Sequence, residues 1–264
     1  MTAAATVADV LAGRASWCVV CGERDVVLAS LGDAAVDVTI TDPPYDERTH
    51  AGARTTTATW RGTGGARAAA PRVAIDFAPA DPSTLAPLML RVTRRWVVAF
   101  AALEQLGEYK LAAGEAWIRA GAWDRVAPTP QLTGDRPAQG IEGIAIMHRR
   151  GGGRLRWNGG GGPALWRHLR LAAAHGHTRH GHPTEKPVPL MRALVRDFSD
   201  PGELICDPHA GSGTTGVAAL LEGRRVILVE RDPEHAATCV ARMEATQPGE
   251  GSRKAKQLAL GGVR

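Results

Sequence analysis

Leu204-Ile205-Cys206-Asp207-Pro208-His209-Ala210-Gly211-Ser212-Gly213-Thr214-Thr215-Gly216 is the stretch that decides how the rest of the chain must be arranged. Leu204 to Cys206 is apolar and β-prone, which predicts a buried strand. Asp207 and Pro208 end it. Gly211 and Gly213 permit close backbone approach to a ligand, and Thr214 opens a helix that runs to Leu221 and closes at Gly223. Val226 to Glu230 reads as the next strand, with the Glu230 carboxylate at its tip, where it can accept both hydroxyls of a ribose. Asp232 then caps a last helix through Met243, with Pro233 in its first turn. A complete βαβαβ nucleotide-binding half does not fit downstream of the glycines. The remaining strands must come from the N-terminal part. The predicted fold is therefore α/β and circularly ordered: a Rossmann-like, mostly parallel sheet with helices on both faces.

Taken literally, Gly211 to Gly216 is also G-x-G-x-x-G, the dinucleotide fingerprint. Three features argue against NAD or FAD: the Asp-Pro before the glycines, the position near the C-terminus, and the single helix after Glu230. A positively charged cofactor tolerates an acidic loop better than a pyrophosphate does.

Working back from this loop, Val188 to Phe198 predicts a Pro-bounded helix. Trp17 to Gly22, Val36 to Thr41, Arg95 to Ala102, Ala116 to Ala120 and Gly143 to His148 read as strands. Val26 to Leu31, Ser83 to Arg94 (with Ser83 as N-cap) and Leu103 to Gly114 read as helices. Asp46 to Arg72 loses apolar periodicity and reads as a long loop, functional or disordered. Residues 1–245 are expected to form one domain, with insertions at about 46–75 and 148–182, followed by a basic, disordered tail over 246–264.

Val36 to Thr41 runs into Asp42-Pro43-Pro44-Tyr45. Alone, this could be only a strand-ending turn, since Asp and Pro are ordinary turn formers. Beside a nucleoside-binding loop it gains a chemical reading. An exocyclic base amine is a poor nucleophile because its lone pair is delocalised into the ring. The Asp42 carboxylate and the Pro43 carbonyl can accept its two hydrogens and free that lone pair. Pro43 and Pro44 stiffen the loop, and Tyr45 offers a ring on which a flipped-out base stacks. No cysteine follows a proline here, as a covalent attack on a ring carbon would require.

The chain has 264 residues with 44% hydrophobic content, enough for a real core, and a formal charge of +5. A basic balance suits a polyanion. Its distribution is more telling: from His148 to His182 there are seven arginines and no Asp or Glu, with His and Trp interleaved. Arg149, Arg150, Arg154, Arg156 and Trp157 are candidate nucleic-acid contacts there, as are Arg54 and Arg61 in the loop after Tyr45. Cys18 and Cys21 have CxxC spacing but sit in a predicted strand with no second pair near; no metal site is expected. No run approaches a membrane span and the N-terminus does not resemble a signal peptide, which together predict a cytoplasmic protein.

Asp207-Pro-His-Ala-Gly-Ser-Gly-Thr-Thr resembles the DPFxGSGTT cofactor loop of DNA amino-methyltransferases, and His182-Pro-Thr-Glu-Lys-Pro187 resembles their HPTQKP element. The order DPPY, HPTEKP, cofactor loop is similar to that of their β group. Thr129 to Pro137 with Arg156 to Gly160 resembles small phage- and prophage-borne members. The resemblance implies S-adenosylmethionine as cofactor, held by Glu23, Thr184, Lys186, Asp207, Pro208, His209, Gly211, Ser212, Gly213, Thr214 and Glu230. In it, Gly22-Glu23 would meet the adenine ring, and Thr184 and Lys186 the methionine carboxylate. It implies double-stranded DNA as partner, a monomer or homodimer, and methylation of adenine N6 through Asp42, Pro43, Pro44 and Tyr45. Cytosine N4 is the neighbouring alternative, and a DNA-binding protein without turnover a further one. Two departures stand out: His209 replaces an aromatic hydrocarbon ring and Glu23 replaces Asp.

Overall fold

The computed structural model describes residues 5–44, 80–126, 128, 134–151, 153–169 and 185–249. Its sheet has eight strands: β1 (Trp17–Cys21), β2 (Val38–Thr41), β3 (Trp96–Ala101), β4 (Trp117–Asp124), β5 (Ile141–His148), β6 (Leu165–Arg167), β7 (Leu204–Asp207) and β8 (Arg225–Glu230). They lie in the order β1-β8-β7-β2-β3-β5-β4-β6. Every neighbouring pair is parallel except those made by β5, which runs against both β3 and β4. β7 and β2 come from opposite ends of the chain yet pair side by side, Val38 against Ile205. The circular order read from the Gly-rich loop is the one observed.

The helices are α1 (Val7–Leu11), α2 (Arg24–Ser30), α3 (Pro82–Val92), α4 (Leu106–Ala113), α5 (Val188–Phe198), α6 (Thr214–Leu221) and α7 (Pro233–Ala245). The first four cover one face of the sheet and the last three the other. In β3, Trp96, Val98 and Phe100 join the core under α5–α7, while Val97, Ala99 and Ala101 join the core under α1–α4. A strand buried on both faces presents this unbroken apolar run. β2, β3 and β7 are buried at every position.

Helix starts follow the capping chemistry in the sequence. Asp232 accepts from the amides of Glu234 and His235, with Pro233 next. The start of α3 differs by two residues from expectation. Asp81, not Ser83, is the cap: its carboxylate accepts from the Ser83 amide at 2.8 Å, and Pro82 takes the first helical position. Strand β6 and helix α1 were not foreseen. β6 is only three residues, but its Trp166 is buried and donates from Nε1 to Asp197 of α5 at 2.8 Å. Among the described residues, no helix is long and apolar enough to cross a membrane. The anticipated insertion at 46–75 and the tail beyond 249 lie outside the described residues.

Candidate active site

In an open α/β sheet the crevice for a ligand forms where strand order reverses, at the C-terminal tips. Here that is between β7 and β2. β7 continues through α6 to β8 on one side; β2 continues through α3 to β3 on the other. The two tips therefore carry Asp207 and Asp42, the two motifs singled out in the sequence.

The loop after β7 is held by side chains from β8, α7 and the segment before α5. Glu230, at the tip of β8, accepts the Gly211 amide at 2.8 Å and the Asp232 amide at 2.9 Å. A carboxylate has about four lone-pair sites, so ribose hydroxyls can still be accepted. Gly211 and Gly213 take the left-handed φ of +52° and +83°. A Cβ on Gly213 would lie 2.5 Å from the Cys239 sulfur of α7. Ser212 and Thr214 are pinned by Arg242, which donates to both hydroxyls at 2.8 and 3.2 Å and pairs with Glu185 at 2.8 Å. Pro208 is buried behind the loop, and Glu23 is exposed beside it, one residue past Gly22, whose amide donates to the Glu230 carbonyl.

Asp207 is buried at the floor. Burial raises its carboxyl to about 6, against the opposing pull of bonds from Thr215, the His209 amide and Thr41. His209 projects between the two tips. Burial, with the charges of Arg24 and Arg231, holds its imidazole well below the usual histidine range. Carboxylates at Asp207, Glu230 and Glu23 and tight glycines make a donor set that suits a cationic ligand carrying a ribose. The residues present fit S-adenosylmethionine.

Across the crevice, Asp42 follows β2 directly. Pro44's carbonyl accepts the Ala80 amide at 3.1 Å. No described residue's amide donates to the Pro43 carbonyl. Tyr45, Arg54, Arg61 and Thr184 lie outside the described residues.

Lys186 was expected to meet the cofactor. Its side chain reaches the Asp-Pro-Pro loop, with Nζ 2.5 Å from Asp42 Oδ2 and 3.2 Å from Glu142 Oε2, over the Phe100 ring at 4.8 Å. Glu142 also receives Arg125, which stacks over Trp123 at 5.6 Å. Burial acts against all these charges. The two carboxylates nonetheless raise the Lys186 ammonium above its ordinary value, and Lys186 and Arg125 bring Glu142 well below the carboxylate range. Nothing local in the sequence marks Glu142: it sits inside an apolar strand more than forty residues from Lys186. Arg24 and Arg242 were equally unmarked, and Glu185 was noted only as part of the His182 to Pro187 element.

The basic segment lies mostly away from this crevice. Arg149, Arg150, Arg154, Arg156 and Trp157 follow β5, whose antiparallel course carries them to the N-terminal end of the parallel strands, His148 opposite Trp96. That end is remote from Asp42. Several are also engaged: Arg149 donates to the Arg91 carbonyl, Arg150 pairs with Glu115, Arg156 pairs with Asp200, and Trp157 packs against Phe198. Arg154 is exposed at the same end. Further on, at Arg167 on the tip of β6, the segment reaches the end of the sheet that carries Asp42, and Arg167 pairs with Asp124 at 3.3 Å.

Comparison with known proteins agrees with this geometry. The DNA methylase family model for N6 and N4 enzymes matches residues 153–241. DNA adenine methyltransferase YhdJ of Escherichia coli (strain K12) is 43% identical over 54 residues, 20% of this chain and 18% of YhdJ. The chain thus matches about a fifth of the length of its curated relatives. The crystal structure of the M1.HpyAVI–SAM complex superposes with a TM-score of 0.61 at 20% identity, covering 86% of this chain and 99% of that one. The PvuII DNA methyltransferase, cytosine-N4-specific, superposes with a TM-score of 0.62 at 13% identity, covering 86% of each chain.

Proposed function

We propose that this chain, which belongs to the N6/N4 amino-methyltransferase family of DNA methylases, methylates the exocyclic N6 amine of adenine in double-stranded DNA. One observation carries the reading: Thr41 at the tip of β2 donates to Asp207 at the tip of β7 across 2.8 Å. That bond joins the Asp-Pro-Pro loop and the Gly-rich loop into one crevice.

S-adenosylmethionine, when bound, supplies a methyl carbon on a sulfonium sulfur that keeps the carbon–sulfur electron pair and departs as a neutral thioether. The protein's own contribution is to the other reactant. The target base leaves the duplex stack, and its amine comes to the Asp42 carboxylate and the Pro43 carbonyl. Those acceptors draw the nitrogen towards tetrahedral geometry and make its lone pair available. The nitrogen becomes positively charged as the new bond forms. Asp42, ionised, offsets that charge and takes the surplus proton on its way to water. Tyr45 is assigned to stack on the base, and Glu230, Glu23 and the glycine loop to hold the adenosine part of the cofactor. Arg54 and Arg61, in the arginine-rich stretch that follows Tyr45 in the sequence, are assigned to the DNA backbone.

The test incubates the protein with unmethylated DNA and methyl-labelled S-adenosylmethionine, digests the DNA and identifies the labelled nucleoside. N6-methyladenosine supports the proposal; N4-methylcytosine moves it to the neighbouring amine. No label despite cofactor binding overturns it and favours a binding role. Asp42→Ala should abolish transfer while cofactor and DNA binding persist.

A further inference from the structure

Glu142 is a buried carboxylate that the scheme above does not use. It lies on β5, and its side chain is 11% exposed. One oxygen pairs with Arg125, the other with Lys186 Nζ at 3.2 Å, and the same ammonium reaches Asp42 at 2.5 Å. The four groups alternate in sign, Asp42, Lys186, Glu142, Arg125, over a floor of Phe100 and Trp123. A lone buried lysine would commit its whole charge to Asp42. With a second carboxylate on the same ammonium, that charge is divided.

We propose that Glu142 is a positioning residue for the reaction: it anchors Lys186, which aims the Asp42 carboxylate, and it draws off part of the ammonium charge so that Asp42 keeps enough negative charge to meet the cation forming on the base amine. This rests on the methyltransferase reading, and it adds a residue from the antiparallel strand to the site. Glu185, the chain neighbour of Lys186, faces the other way, to Arg242 and the cofactor loop. Among the described residues the dipeptide thus links to both loops, Glu185 to the glycine loop and Lys186 to Asp42, and Glu142 joins it on the Lys186 side.

The test measures single-turnover methylation, cofactor affinity and DNA affinity for the full chain with Glu142→Gln and Glu142→Asp. Glu142→Gln should slow the transfer step about 100-fold, equivalent to about 2.7 kcal/mol of barrier, with cofactor and DNA affinities within about threefold. Glu142→Asp should recover part of the rate. A rate within threefold of wild type, or an equal loss of cofactor affinity, overturns the proposal. Charge sharing is read without turnover by the unfolding free energies of Glu142→Gln, Asp42→Asn and the double variant. Non-additive effects support the shared ammonium, and additive ones overturn it. If the wild type itself methylates no DNA, the function reading falls, and the stability cycle still decides whether the charge is shared.

Discussion

Arg24 Nη1 lies 2.5 Å from His209 Nε2, and that single contact determines the state of the ring. A guanidinium only donates, so Nε2 accepts and the proton sits on Nδ1. Nδ1 faces the Thr41 hydroxyl at 3.0 Å, and Thr41 donates onward to Asp207 Oδ1 at 2.8 Å. A neutral histidine here links the start of α2 with strands β2 and β7. A phenylalanine ring has no nitrogen to accept from Arg24.

The direction of pH dependence follows. His209 stays neutral in the folded protein at pH values where the unfolded chain, near 6.5, already takes a proton. Its contribution to stability is complete above about pH 6.5 and is lost as pH falls towards its depressed folded value. Asp207, raised from 3.8 to about 6, acts in the opposite sense: its cost is present above pH 6 and disappears towards pH 4. In denaturation curves between pH 5 and 7, wild type should lose stability relative to His209→Phe with falling pH. The limiting difference in slope is about 1.4 kcal/mol per pH unit. Parallel curves would show that His209 does not titrate between the two states.

Gly213→Ala should be among the most damaging single-methyl changes in the loop. The residue sits at φ +83°, and the added carbon would meet Cys239 Sγ at 2.5 Å. Left-handed backbone strain and overpacking together predict a loss of about 2–4 kcal/mol, with weaker cofactor binding. In a Cys239→Ala background the same substitution should cost less, because only the clash is relieved. Equal cost in both backgrounds would assign the whole effect to backbone strain.

Arg149→Gln and Arg156→Gln should lower stability and leave DNA affinity within about twofold of wild type, since both guanidiniums pair at the far end of the sheet. Arg54→Gln and Arg61→Gln should do the reverse. If each arginine contacts one phosphate, each change should reduce the slope of log affinity against log salt by about 0.9. Filter binding at several salt concentrations distinguishes the two sets.

The cofactor strand, its glycines, Glu230 and helices α5, α6 and α7 were legible because their signals lie within a few residues of one another: apolar runs, Asp232 and Pro233 at a helix start, glycines where φ is positive. Helix α5 and helix α6 match the expected bounds residue for residue. Helix α4 does not, because Leu103 to Gln105 is wound as a tight 3-10 turn before it. β6 was missed because three residues are too few for any periodicity to register.

From the sequence alone came the α/β class, the circular order and the two loops that meet. Each of those rests on local spacing, or on counting which elements remain to complete a sheet. Three-dimensional structure decided the rest. Only the sheet order brings Glu142 to Lys186 and Lys186 to Asp42, because contacts between strands distant in sequence leave no local trace. Only the reversal of β5 sends Arg149 to Trp157 away from the crevice. A run of arginines reports charge, and a strand's direction decides which end of the sheet receives it.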